Sequence, residues 1–299
     1  MKRIIVILLA MLGIAVHAET KVLCTTTPMT ILTKAVLHRI HGYKVEQMIS
    51  SSLGCPHDYV MTPDDMRKLS SADVIILNGL GMEDFLDKSV SRLKKGAVML
   101  DTSKANKDVL EYLEDENHKH DANCKHAKNE HLFASPDTAG KIVQYIAQFF
   151  MDRDPKNAAK YLANAERYSS ELQTIYREYD KFGYRIPDEK RNIAVQHGIF
   201  DYMARSAKLN VKAYIQKHAG AEPSAAEIKN LIGKLKKDKV VLILAEKGYP
   251  DRVTKLISLE TGIPVLTLDT NPPDGITDPE FYLKMFKYNL AKLKAFYSK

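Results

Sequence analysis

Short apolar runs alternate with stretches of helical spacing along almost the whole chain, and that alternation limits the fold more than any other feature. The runs fall at residues 22–24, 45–49, 74–77, 98–100, 193–196, 211–215, 240–245 and 265–268. Between them, apolar residues return at helical spacing over 27–37, 63–69, 82–93, 200–207, 224–236, 250–261 and 279–296. Short strands separated by helices predict parallel β-α-β units with right-handed crossovers, so the fold class is α/β.

The alternation is interrupted once. Residues 136–183 carry only helical patterns, and Asp154 and Pro155 read as N-cap and first residue of a helix running to about Phe182. At ~1.5 Å per residue it would be about 40 Å long, enough to join two lobes. The expected organisation is an N-terminal lobe over 19–135, a helical region over 136–183 and a C-terminal lobe over 184–299. A polar loop at about 111–130 lacks apolar periodicity and carries His118, His120, Cys124 and His126.

Charge excludes one class of partner. The 44 basic and 37 acidic residues give +7, mixed along the chain. The densest basic stretch, 234–239, lies on a helical pattern with Ile228, Leu231, Ile232 and Leu235, which makes it the solvated face of a helix. No nucleic-acid binding is expected.

Lys2 and Arg3 precede an apolar run over 4–16, and Val16-His17-Ala18 forms a signal-peptidase site. The run is shorter than the roughly 20 residues a membrane-crossing helix needs. A secretory signal over 1–18 is expected, placing the protein in the periplasm. Leu23 precedes Cys24 where a lipoprotein signal needs a small residue, so no lipid anchor is expected.

In open α/β sheets ligands bind at the carboxyl ends of strands. His197 and Asp269 each follow a strand directly, His57 lies in the loop after the second strand, and His131 lies between the polar loop and the next helix. Three imidazoles and a carboxylate can close a four-coordinate shell around Zn²⁺. Taken singly, each histidine reads equally as a hydrogen-bonded loop residue, and Asp269 as a helix cap. The residues alone reach a metal cleft between lobes and no further.

The motifs in order resemble a family. Gly54-Cys55-Pro56-His57-Asp58-Tyr59, Thr62-Pro63-Asp64-Asp65, Ala72-Asp73-Val74 and Asn78-Gly79-Leu80-Gly81-Met82-Glu83 come first. Glu130-His131-Leu132-Phe133 with Pro136, Gln196-His197-Gly198-Ile199-Phe200-Asp201-Tyr202, Thr261-Gly262 and Leu268-Asp269 follow. Together they are similar to the cluster A-I (cluster 9) zinc and manganese solute-binding proteins, extracytoplasmic receptors of metal-importing ABC transporters. The resemblance implies two α/β lobes joined by one long stiff helix and metal ligands at His57, His131, His197 and Asp269. It also implies a membrane permease as partner, and no enzymatic activity; a monomer is expected. Cys55, Asn129-Glu130, Phe133 and Ser135 depart from the usual pattern around the ligands, which affects the groups that orient them.

Three imidazoles with one carboxylate favour Zn²⁺ over Mn²⁺ or Fe²⁺. His118, His120 and His126 resemble a short form of the His-rich loop of zinc-type members, or else are plain surface. Cys24 and Cys55 form a disulfide bracing His57, or Cys55 is a soft ligand, or both are buried thiols. Two rivals from other classes are an exported zinc hydrolase using Glu246 or Glu130 as base, and an adhesin that uses metal structurally. The hydrolase would need an open coordination position, which four protein ligands do not leave.

Overall fold

The computed structural model describes residues 19–50, 59–87, 89–113, 128–216 and 222–298. His57, Cys55, His118, His120, Cys124 and His126 lie outside the described residues. The first lobe contains β1 (Thr20–Cys24), α1 (Thr27–Val36), β2 (Tyr43–Gln47), α2 (Pro63–Ser71), β3 (Val74–Leu77) and β4 (Val98–Asp101). Then come α3 (Pro136–Arg153) and α4 (Ala158–Gly183). The second lobe contains β5 (Asn192–Val195), α5 (Asp201–Ser206), β6 (Asn210–Tyr214), α6 (Ala225–Lys237), β7 (Leu242–Glu246), α7 (Arg252–Thr261), β8 (Val265–Leu268) and α8 (Pro279–Tyr297).

Each lobe holds one parallel four-stranded sheet, ordered β2-β1-β3-β4 and β6-β5-β7-β8. The central strands carry apolar residues on both faces because both faces of such a sheet are covered. Side chains alternate between the faces. Val22, Cys24, Val74 and Ile76 face one core, as do Ile193, Val195, Leu242 and Leu244. Leu23 and Ile75 face a second core under α2, and Ala194 and Ile243 a third under α6 and α7. The first core is continuous: it runs from β1 and β3 through α1, α3, α4 and α8 to β5, β7 and β8. Two lobes that share one apolar core cannot swing apart without exposing it to water.

The helix α4 spans the gap. Its Asn164 Nδ2 donates to Val36 O and His38 O at 2.9 and 2.8 Å, and Tyr161 Oη lies 2.7 Å from Tyr43 Oη. Toward its other end Tyr168 and Tyr179 donate to Pro279 O and Phe286 O, both at 2.8 Å.

Two elements differ from the sequence expectation. The helix expected over 82–93 is two 3₁₀ turns, Asp84–Leu86 and Val90–Arg92. Gly79, Leu80 and Gly81 all have positive φ, and the buried Glu83 carboxylate accepts from the amides of Asn78 and Gly79, so the chain is coiled tightly before a helix can start. Asp154 does not cap α4. Its carboxylate accepts from Asn157 Nδ2 and Tyr161 Oη, and a 3₁₀ turn (Pro155–Asn157) precedes Ala158.

Cys24 is a fully buried thiol at the end of β1, pushed up to about 12 by burial. The expected Cys24–Cys55 pairing involves a residue outside the described ones.

Candidate metal centre

In each sheet the strand order reverses between the two central strands, and their carboxyl ends open the crevice there. In the second lobe β5 runs out into Gln196-His197 and β7 ends at Glu246. Because Val195 pairs with Leu244 in parallel register, the next residues stay abreast, and His197 Nε2 meets Glu246 Oε2 at 2.5 Å. Both side chains are buried. Gln196 completes the corner: its Oε1 accepts from Glu246 N at 2.8 Å, and its Nε2 donates to Pro250 O at 2.9 Å. Thr270 donates to the other Glu246 oxygen. On the His197 ring, Nδ1 accepts from Ile199 N at 3.4 Å, and Tyr249 packs with its centroid 5.6 Å away.

His131 approaches from the connection between lobes. It opens the 3₁₀ turn Leu132–Ala134, which is pinned by Thr138 donating to Leu132 O and Tyr282 donating to Phe133 O. Asn78 of the first lobe donates to Glu130 O at 2.9 Å. The His131 and His197 rings stand 5.5 Å apart, both buried.

Asp269 follows β8, and its backbone is clamped by Asn289 of α8. The Asp269 amide donates to Asn289 Oδ1 at 3.0 Å, and Asn289 Nδ2 donates to Asp269 O at 2.5 Å. One Asp269 oxygen lies 3.2 Å from Lys247 Nζ. Replacing Asn289 with Leu leaves the Asp269 amide and carbonyl without these partners. A loss of ~1–3 kcal/mol in urea unfolding is the expected outcome, and an unchanged midpoint would show the clamp to be idle.

Among the described residues, no three His, Cys, Asp or Glu side chains converge as a metal-holding group. Two of the expected ligands, His131 and His197, are neighbours. Asp269 is turned to Lys247, and His57 lies outside the described residues. Glu246, Asn129, Asp201 and Asn289 are the neighbours of these ligands that sequence patterns did not assign. Glu246 carried a signal in its place directly after a strand, and Asn129 in its departure from the family pattern.

Asp201 is buried beside the histidines and accepts from Tyr214 Oη at 2.6 Å and Asn129 Nδ2 at 2.8 Å. Burial raises its carboxyl to about 7, against ~3.9 in an unfolded chain. Between those values the folded state binds more protons than the unfolded one, so stability from Asp201 is full below about pH 4 and is lost as pH rises to about 7. Asp201→Asn keeps an accepting oxygen and is expected to flatten this part of the profile. Melting temperatures at pH 4.5 and 7.5 in both proteins check it; equal slopes would remove Asp201 as the cause.

Comparison with known proteins agrees with this architecture. The profile of the family described as ZnuA, zinc-uptake complex component A, periplasmic, matches residues 22–296. Metal ABC transporter substrate-binding lipoprotein SloC of Streptococcus mutans is 30% identical over 244 residues, covering 80% of this chain and 78% of its own. Manganese ABC transporter substrate-binding lipoprotein PsaA of Streptococcus pneumoniae is 29% identical, covering 92% and 88%. Among solved structures, the Mn²⁺ complex of the binding protein FpvC from Pseudomonas aeruginosa superposes with TM-score 0.79 at 24% identity over 94% of this chain and 98% of that one. A ZnuA crystal structure gives 0.75 at 22%, covering 93% and 98%. With the two-sheet fold on one side and a match across nearly the whole chain on the other, this protein belongs to the ZnuA family and is a substrate-binding protein of a metal ABC transporter, not an enzyme.

Proposed function

We propose that this protein captures zinc outside the cytoplasm and delivers it to the permease of an ABC importer, with His57, His131, His197 and Asp269 as the metal ligands. The observation that carries this reading is the pair of buried imidazoles, 5.5 Å apart, at the crevice between the two sheets. On metal entry, His197 Nε2 exchanges the Glu246 carboxylate for the cation, and His57 supplies the fourth donor. Manganese is named for several relatives. Three nitrogen donors and one carboxylate nevertheless favour zinc, because the harder Mn²⁺ prefers oxygen.

The same reading places the mature chain in the periplasm as a monomer, released by cleavage after Ala18. Relatives are named lipoproteins, which tells against the expectation that this chain lacks a lipid anchor. His118, His120 and His126 would act as a weaker auxiliary site.

Competition of the mature protein with a chelating indicator, titrated with Zn²⁺ and separately with Mn²⁺, tests the proposal. One strong site preferring Zn²⁺ supports it. Preference for Mn²⁺ would overturn the zinc assignment, and absence of a strong site would overturn the receptor reading. Binding is expected to weaken as pH falls and imidazoles protonate. A chelator-treated sample is expected to melt cooperatively, because cores of this size need no metal staple; unfolding on chelation would favour a structural metal.

A further inference from the structure

Asn129-Glu130, just before His131, is one of the departures from the family pattern. The structure shows what the asparagine does. Asn129 is fully buried and each of its polar groups has a partner. Its amide N–H donates to Leu110 O at 2.7 Å, and its carbonyl accepts from Tyr202 Oη at 2.7 Å. Its side-chain nitrogen lies 2.8 Å from both Gly198 O and Asp201 Oδ2. A backbone carbonyl can only accept, so the nitrogen must point there and the oxygen must point the other way.

That oxygen accepts from His131 N at 2.9 Å and lies 3.1 Å from His131 Nδ1. Among the described residues, the other oxygens around Nδ1 are acceptors as well. Tyr112 Oη, at 3.3 Å, spends its proton on Glu130 Oε1 at 2.8 Å, and Glu130 Oε1 itself is 3.6 Å from Nδ1. A neutral imidazole facing lone pairs at Nδ1 carries its hydrogen there and keeps its own lone pair on Nε2.

We infer that Asn129 is a positioning residue that sets the tautomer and plane of His131, locked in turn by Gly198 and Asp201 of the other lobe. Resting on the receptor reading above, it makes the Nε2 lone pair of His131 available to the metal before the metal arrives. Gly198 is part of the device. A Cβ on that residue would lie 2.2 Å from Tyr112 Cε1 and 3.0 Å from Asn129 Nδ2, so any side chain would push away both groups that flank Nδ1.

The test uses the metal-free mature protein with ¹⁵N-labelled histidine, the His131 signals being assigned by their loss in His131→Gln. Long-range ¹H–¹⁵N correlation then reads the tautomer, and indicator competition with Zn²⁺ reads the affinity. The expected result is a protonated Nδ1 in the parent and a tautomer mixture in Asn129→Leu. Zinc affinity is expected to fall ~10–100-fold in Asn129→Leu, the usual range for groups that orient a ligand. An unprotonated Nδ1 in the parent overturns the inference, even where Asn129→Leu does not fold. So does an Asn129→Leu protein that keeps the parental tautomer and affinity. A parent with protonated Nδ1 that takes up no zinc leaves the inferred role of Asn129 intact and sinks the receptor reading instead.

Discussion

Zinc affinity is expected to fall ~10²–10³-fold in His197→Ala, with the protein still folded. Four-ligand zinc sites bind with roughly 10–16 kcal/mol, so one ligand in four supplies about 2.5–4 kcal/mol, and ~1.4 kcal/mol corresponds to a factor of ten. The structure adds a complication, because His197 also partners the buried Glu246. Removing the ring leaves that carboxylate with the Thr270 hydroxyl and no imidazole. Some stability is lost for that reason alone, ~1–3 kcal/mol. The double variant His197→Ala/Glu246→Gln separates the two effects: it should regain stability and regain no affinity. Tight zinc binding unchanged in both variants would remove the crevice site and point to the His118–His126 loop.

The second large effect concerns the scaffold. Tyr179→Ala should cost ~3–5 kcal/mol, the range for emptying a large aromatic site in a packed core. Tyr179 is wholly buried on α4, and its hydroxyl donates to Phe286 O of α8, so it ties the long helix to the second lobe. The melting temperature should drop on the order of 10 °C. Tyr179→Phe keeps the ring and loses only the hydrogen bond, so its cost should be nearer ~1 kcal/mol. A loss below that in Tyr179→Ala would mean that α4 is not held where its neighbours indicate. The prediction bears on function because the continuous core makes the two lobes one body. Under the proposed function, metal capture then involves local exchange at His197 more than closure of a hinge.

Strands were legible where the pattern had one physical cause. A buried parallel strand must be apolar on both faces, so β3 reads directly from Val74–Leu77, while the edge strand β8 reads from its apolar run alone, with Thr267 exposed. The same reasoning put His197 and Asp269 at strand ends, where a crevice opens. It failed at residues 82–93, where helical spacing of Met82, Leu86 and Leu93 was overridden by a glycine-rich turn and the inward Glu83 carboxylate. That bond joins Glu83 to Thr25, 58 residues away, and no local pattern encodes it.

The sequence by itself therefore determined the alternation, the long helix and the donor types, because each depends on chemistry repeated within a few neighbouring residues. Only the tertiary structure decided what those donors face. It set Glu246 against His197, Asn289 on the Asp269 backbone, and Asn129 between His131 and Asp201. Each of these contacts joins chain segments that only packing brings within hydrogen-bond distance, except that of Asn129 with His131. There the spacing is two residues, yet the amide's orientation is still dictated by Gly198 from the other lobe.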